Sequence, residues 1–271
     1  YLEEWLEIKK ESPKVGVSQY NRIKQHLAHI IPFLGHKKID AIKVDDVIRL
    51  RNAKLTEGLS KRTIRAMEFC LKGALEYTVG NGYSDLLRMN PLLKLDVLQV
   101  RKGDEKAIEV LEVNEQNILL AEARKYAQEH DPRWFMRPFL GLHTGARSGE
   151  IAGLQWGDIN WEHCTLNINK AVHYGNGDTK PEIKETKTNE DRTIALDKTV
   201  MEELRHYKMW CSERLLKGGV PLKDDMHILF DNDLGPLHES APMSRWKTIL
   251  RRANLKYRGF HCLRHTHASN L

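Results

Sequence analysis

Apolar side chains recur at steps of three and four through the first third of the chain, the spacing that lines one face of an α-helix. Tyr1, Leu2, Trp5 and Leu6 form the first such stripe, and Pro13 with Gly16 closes it. Ile23, Leu27, Ile30, Ile31 and Leu34 form a second, with Ser18 as its expected N-cap and Gly35 as its stop. A shorter helix is predicted from about Val44 to Leu55, with Val47, Ile48 and Leu50 turned inward. Ser60 is the expected cap of a fourth, whose buried face would hold Ile64, Met67, Leu71, Ala74, Leu75 and Thr78. Four amphipathic helices of this kind can bury their stripes only against one another, so a small helical bundle is expected.

Asn90-Pro91 ends that pattern, and Leu92 to Lys106, with charges and no clear period, reads as a connecting segment. The division expected is a helical domain over 1–97, a linker over 98–110 and a second domain over 111–271. A helical period resumes at Asn114 and runs through Ile118, Leu119, Ala121, Glu122 and Tyr126. Pro132 separates it from a more apolar helix with Phe135, Phe139, Leu140 and Leu142, which Gly145 breaks. Leu166 and Ile168 then alternate with polar neighbours, and Val172 extends the strand past Lys170. Gly175-Asn176-Gly177-Asp178 is a turn, after which strands near Glu182 to Thr186 and Arg192 to Leu196 complete one small antiparallel sheet. Asp197 caps a helix with Val200, Leu204, Tyr207, Cys211 and Leu215 inward, and Ser240 with Pro242 opens one holding Trp246, Ile249, Leu250 and Ala253. A last helix begins at His261. The fold class is therefore mainly α with a small antiparallel β-sheet: a helical domain followed by an α+β domain.

At 271 residues, each of two domains can bury a core of its own. The overall charge of +6 is modest, but residues 12 to 100 hold 15 basic against 8 acidic side chains, whereas residues 101 to 271 hold 26 against 25. A basic excess confined to the helical part suits a polyanion, and Lys24, Lys61, Arg62 and Arg65 are the candidate phosphate contacts. The last three lie in the first turns of the fourth helix, whose N-terminal N–H groups also favour an anion; Arg22, His26, Lys37 and Lys38 are available from the second helix and its loop. For any one of these, a solvated face is the plainer explanation. The four cysteines are far apart, which suggests neither a zinc site nor a disulfide framework and points to a reducing, cytoplasmic setting. Paired carboxylates at metal-ligand spacing and a Gly-rich phosphate loop are both lacking from the sequence, so no metal, nucleotide or other cofactor is expected. Nor does any apolar run suggest a membrane span or signal peptide.

Chemistry concentrates in two distant stretches. His261 and Arg264, three apart in His261-Cys262-Leu263-Arg264-His265-Thr266-His267, share one helix face and can converge on one anionic group. Arg147, in Thr144-Gly145-Ala146-Arg147-Ser148-Gly149-Glu150, would supply a second guanidinium, making a clamp for the oxygens of a phosphoryl group. On its own the histidine-rich stretch could simply decorate a helix. The two stretches together resemble the paired arginine boxes of tyrosine recombinases, the phage-integrase family. Lys187-Thr188 followed by Arg192-Thr193-Ile194-Ala195-Leu196 is similar to the lysine-bearing β-hairpin that lies between those boxes in the family.

The resemblance implies a core-binding domain of SAM-like type followed by a catalytic domain, double-stranded DNA at a core or attachment site as partner, and a homotetramer on DNA, with DNA-bending accessory proteins. It further implies that Arg147 and Arg264 clamp the scissile phosphate, that Lys187 protonates the leaving 5′-oxygen, and that His261 contacts the phosphate and handles the nucleophile's proton. Lys180, Lys184 and Lys187 share the hairpin, and Lys187 is preferred for its spacing to Arg192. Glu150 either orients a neighbouring group or is an ordinary helix carboxylate. In the family a nucleophilic Tyr follows the second arginine by roughly twenty to thirty residues. Here the sequence stops at Leu271 and starts at Tyr1 rather than Met, so it is expected to be part of a longer chain. The implied activity is site-specific recombination through a 3′-phosphotyrosyl intermediate, integrating or excising a mobile element in the bacterial cytoplasm at the nucleoid. Two rival readings are a type IB topoisomerase, which shares the chemistry without exchanging strands, and a catalytically silent DNA-binding module.

Overall fold

The computed structural model describes residues 1–80, 87–104, 107–173, 182–185, 191–237 and 240–271. They form two compact units, Tyr1–Ala107 and Ile108–Leu271. Helices α1 (Leu2–Glu11), α2 (Val17–Leu34), α3 (Val44–Thr56) and α4 (Lys61–Gly80) make up the first. Trp5, Leu27, Ile30, Leu34, Val47, Leu50, Met67, Leu71, Ala74 and Leu75 form its core. Each large aliphatic side chain among them contributes about 1.5–3 kcal/mol by leaving water.

Three local expectations are corrected. Gly16 rather than Ser18 is the N-cap of α2, because the chain is already helical at Val17. Ile48 is 37% exposed, since it lies about 100° round the helix from Val47, off the face that Val47 and Leu50 bury. Residues 92–98 are no free connection: Leu92 and Leu95 are buried in the first core, and the buried Glu68 accepts the Leu98 N–H at 2.7 Å. Arg51 reinforces this by donating to Glu68 at 2.5 Å and to the Asp96 carbonyl at 2.6 Å. By contacts the first compact unit extends as far as Ala107.

In the second unit, α5 (Val113–Glu129) and α6 (Arg133–Thr144) lead into the six-residue α7 (Ser148–Gly153). Strands β1 (Ile159–Asn160), β2 (Thr165–Ile168), β3 (Lys170–His173), β4 (Glu182–Glu185) and β5 (Arg192–Ala195) follow, then α8 (Lys198–Lys217), α9 (Ser240–Arg252) and α10 (Cys262–Asn270). Asp197 caps α8 as its spacing predicts, its carboxylate accepting the Val200 N–H at 2.8 Å. Trp156, Leu119, Leu140, Ile151, Leu166, Leu204, Ile228 and Leu263 lie at the centre of the core.

Among the described residues the small antiparallel sheet expected falls into two ladders, a three-stranded one in the order β1-β2-β5 and the pair β3-β4. Unequal spacing is the cause. β2 pairs β5 from Thr165↔Ala195 to Ile168↔Arg192, and β3 pairs β4 from Lys170↔Glu185 to His173↔Glu182. Only Asn169 separates β2 from β3, whereas residues 186–191 separate β4 from β5, so one continuous ladder cannot form. The inward parity of Leu166, Ile168 and Val172 is kept across the break. Lys170 falls on that same side, and its charge is met by Asp158 at 2.9 Å. Gly175-Asn176-Gly177-Asp178, Lys180 and the candidate Lys187 lie outside the described residues.

Candidate active site

Arg147 is placed by a glycine. Gly145 ends α6 in the left-handed conformation (φ 60°, ψ 15°), where an L side chain is strained. A Cβ there would also come within 2.5 Å of the His267 ring. His267 belongs to α10, and its Nδ1–H donates to the Leu142 carbonyl at 2.9 Å, since a carbonyl can only accept. Thus α6 turns over α10 at a spot where only glycine fits, and Arg147 emerges at the N-cap of α7. Gly145→Ala is expected to lower stability by about 2 kcal/mol, combining left-handed strain with displacement of His267. Thermal unfolding of the variant checks this; an unchanged Tm would mean that the turn tolerates a side chain.

The second anchor is Glu150. Gly149 lets α7 lie against β3, because a Cβ at that position would sit 2.6 Å from the Val172 carbonyl oxygen. Glu150, next in sequence, is 1% exposed. One carboxylate oxygen accepts the Arg147 N–H and Arg192 Nη2 at 2.8 and 2.5 Å; the other accepts Arg147 Nη1 and Arg192 Nη1 at 2.8 and 3.2 Å. Burial opposes the charge of this carboxylate, but the hydrogen bonds from Arg192 and from the backbone and side chain of Arg147 outweigh it and hold the pKa at about 2. Arg147 uses one terminal nitrogen on Glu150 and remains 48% exposed.

Arg264 arrives from the first turn of α10 and donates from Nη1 to the Gly145 carbonyl at 2.7 Å. Partial burial and the like charges of Arg147 and Arg192 lower its pKa, with Glu150 acting in the opposite sense. His261, at the N-cap of α10, stacks edge-on with His265 at 4.7 Å between ring centroids. Its pKa is depressed by burial first and then by His265, Arg264 and Arg147. A neutral imidazole therefore stands beside two guanidiniums, and an arriving anion would favour its protonation.

The fold thus gathers Arg147, His261 and Arg264, with Glu150 and Arg192 behind them. Three arginines against one carboxylate leave the site positive, and the exposed part of Arg147 is available to a phosphate. In the sequence Arg192 marks only the start of a strand, and parity with Ile194 puts it on the same face of that strand. Arg137 was also missed. It lies in the apolar run of α6, donates to Ser148 Oγ at 2.7 Å and stacks on Phe260 at 4.1 Å, tying α7 to the segment before His261. Among the described residues no group of His, Cys, Asp or Glu is arranged to hold a metal ion.

The other candidates lie in the first unit. Lys24 is exposed on α2. Ser60 Oγ accepts the Thr63 N–H at 3.1 Å at the start of α4, and Lys61 and Arg62 are exposed on the first turn. Arg65 lies over the Phe69 ring at 5.5 Å, and Lys61 pairs with Asp104 at 2.6 Å. Lys37 pairs with the buried Asp46, also at 2.6 Å, which gives it a structural role.

With this geometry in place, the chain belongs to the phage integrase family: residues 109–271 match the family model described as "Phage integrase family". Residues 1–55 match the model "Phage integrase, N-terminal SAM-like domain". A similar curated protein, the tyrosine recombinase XerC-like protein of Caldanaerobacter subterraneus subsp. tengcongensis, is 29% identical over 247 residues, covering 86% of this chain. The match spans 61% of that relative's length. Among solved structures, the Tn1549 transposon integrase in complex with transposon right end DNA superposes with a TM-score of 0.70 at 18% identity, covering 99% of this chain and 84% of that one. A lambda integrase tetramer bound to a Holliday junction gives 0.68 at 16% identity, covering 99% and 72%. At these identities the structural likeness establishes the fold.

Proposed function

We propose that the chain is the core-binding and catalytic part of a site-specific tyrosine recombinase that cuts and rejoins double-stranded DNA, integrating or excising a mobile element. The observation that carries the reading is the convergence of Arg147, Arg264 and His261, from segments more than a hundred residues apart, on one positively charged spot backed by Glu150. Transesterification of a phosphodiester builds negative charge on the non-bridging oxygens, and two fixed guanidiniums offset that charge in the transition state. His261, neutral before the anion arrives, hydrogen-bonds the phosphate and takes up the nucleophile's proton. Lys187 protonates the leaving 5′-oxygen. A Tyr on the C-terminal side of Arg264, outside these residues, attacks phosphorus, so that the P–O5′ bond breaks as the phosphotyrosyl ester forms. The bond energy is kept in that ester, and no cofactor is needed.

Lys24, Lys61, Arg62 and Arg65 of the first unit contact the phosphate backbone of the core site. Support comes from the basic excess of that part of the sequence and from the exposure of Lys24, Lys61 and Arg62. The proposal extends, as the family resemblance implies, to a homotetramer acting on bacterial DNA in the cytoplasm, with accessory DNA-bending proteins. Replacing Lys61, Arg62 and Arg65 together by Ala is expected to weaken duplex binding and to reduce the slope of log K against log salt by about 2–3, close to one for each lost phosphate contact. Fluorescence anisotropy over a salt series measures this, and an unchanged slope would move the DNA face elsewhere. The recombinase reading itself is tested by incubating the full-length gene product with two core-site duplexes and assaying for recombinant junctions. Relaxation of supercoiled DNA without such junctions would favour the topoisomerase reading.

A further inference from the structure

Glu150 presents a difficulty for a phosphate clamp. A buried carboxylate bonded to the side chain and backbone of Arg147 cancels the charge that Arg147 is there to deliver. The site resolves this with a third arginine. Arg192, opposite Ile168 in the register of β5, takes both carboxylate oxygens with its two terminal nitrogens, at 2.5 and 3.2 Å. Arg147 gives the carboxylate one terminal nitrogen, and its side chain stays half-exposed. Arg192 is the less exposed of the two, at 31% against 48%.

We propose that Arg192 is a charge-balancing and positioning residue: by holding Glu150 it leaves Arg147 and Arg264 with their full positive charge and fixes the angle at which Arg147 meets a phosphate. This rests on the phosphate-clamp reading above and extends it to a residue that does not itself touch the anion. The charge arithmetic makes a specific demand. With Arg147, Arg192, Arg264 and Glu150 all ionised, the site carries three positive charges and one negative. Arg192→Met reduces the net to a single positive charge and lets Glu150 pair with Arg147 alone. Adding Glu150→Gln to Arg192→Met returns the net to that of the wild type.

The test uses the isotopically labelled 271-residue chain, inorganic phosphate as probe, and the His261 ring signals, assigned with His261→Gln. These signals report on the site without requiring cleavage. In the wild type, phosphate should move the His261 signals as it binds. In Arg192→Met the phosphate dissociation constant should rise by roughly tenfold, as expected for loss of one unit charge at short range across a partly solvated site, and the His261 pKa should rise. In Arg192→Met/Glu150→Gln both should return toward the wild-type values, with thermal unfolding run alongside to follow stability separately. Three results would overturn the proposal: phosphate affinity in Arg192→Met equal to wild type, a change in stability alone, or loss in the single variant that the double does not restore. The last would mean that Arg192 contacts the anion itself. If phosphate leaves His261 of the wild type unmoved, the clamp reading fails as well, which separates that failure from the other three.

Discussion

Arg264→Ala is expected to lower the rate of DNA cleavage by about two to three orders of magnitude while leaving the protein folded. Within the protein its guanidinium donates to the Gly145 carbonyl at 2.7 Å. That bond costs on the order of 1 kcal/mol of stability when lost. A preorganised charge aimed at the phosphoryl oxygens contributes about 3–4 kcal/mol to the transition state, because it acts in a partly desolvated site and needs no reorganisation when charge develops. The effect therefore falls on catalysis far more than on the fold. Arg147→Ala should lose a comparable factor in rate, with an added stability cost, because among the described residues Glu150 then retains Arg192 and the backbone N–H of residue 147 as partners. Single-turnover cleavage of a nicked core-site duplex, with thermal unfolding in parallel, separates the two effects. A similar fall in stability for both variants would contradict this division of labour.

Glu150→Ala is expected to be the most destabilising single change in the site, at about 2–3 kcal/mol, because it removes the buried carboxylate on which two partly solvated guanidiniums now meet. The charge of Glu150 also makes the prediction pH-dependent. Its carboxyl titrates at about 2 in the folded protein against an ordinary 4.5. A carboxyl whose folded pKa is depressed contributes stability that is fully present above the unfolded value and lost as pH falls through the folded one. Roughly 3 kcal/mol should therefore disappear between pH 4.5 and pH 2 in the wild type. Glu150→Gln should lack that part of the acid transition. Urea unfolding at intervals across this window measures it, and parallel pH profiles for the two proteins would show that Glu150 does not carry the linkage.

The helical stripes of the first unit were legible because α4 buries Ile64, Met67, Leu71, Ala74, Leu75 and Thr78 at regular helical spacing. The cap of α2 was misread because Ser is a common N-cap, whereas Gly16 takes the extended conformation before a helix just as readily. Leu92 and Leu95 were read as linker because they lack a period, yet two leucines in an irregular segment can still fill a groove in a bundle. In the second unit, Arg147 and Arg264 were found as members of sequence boxes. Arg192 opens the stretch Arg192-Thr193-Ile194-Ala195-Leu196 and Arg137 sits among apolar neighbours, so the local pattern speaks only of strand or helix. Their partners, Glu150 and Ser148, are 42 and 11 residues away in sequence. Pairing across such distances is a property of the fold, and no local period announces it. The division of the sheet belongs to the same class, since it depends on unequal spacing between two paired stretches.

The most direct test of the phosphate clamp is covalent capture. The full-length gene product, wild type and Arg264→Ala, is incubated with a nicked suicide duplex carrying the core site, and the products are separated under denaturing conditions. The account predicts a protein–DNA band for the wild type, with mass mapping placing the attached DNA on a Tyr C-terminal to Arg264, and a band reduced at least about a hundredfold for Arg264→Ala. A polypeptide ending at Leu271 should bind the duplex and give no band. An adduct that forms undiminished in Arg264→Ala, or one carried by a tyrosine within residues 1–271, would contradict the assignment of the site.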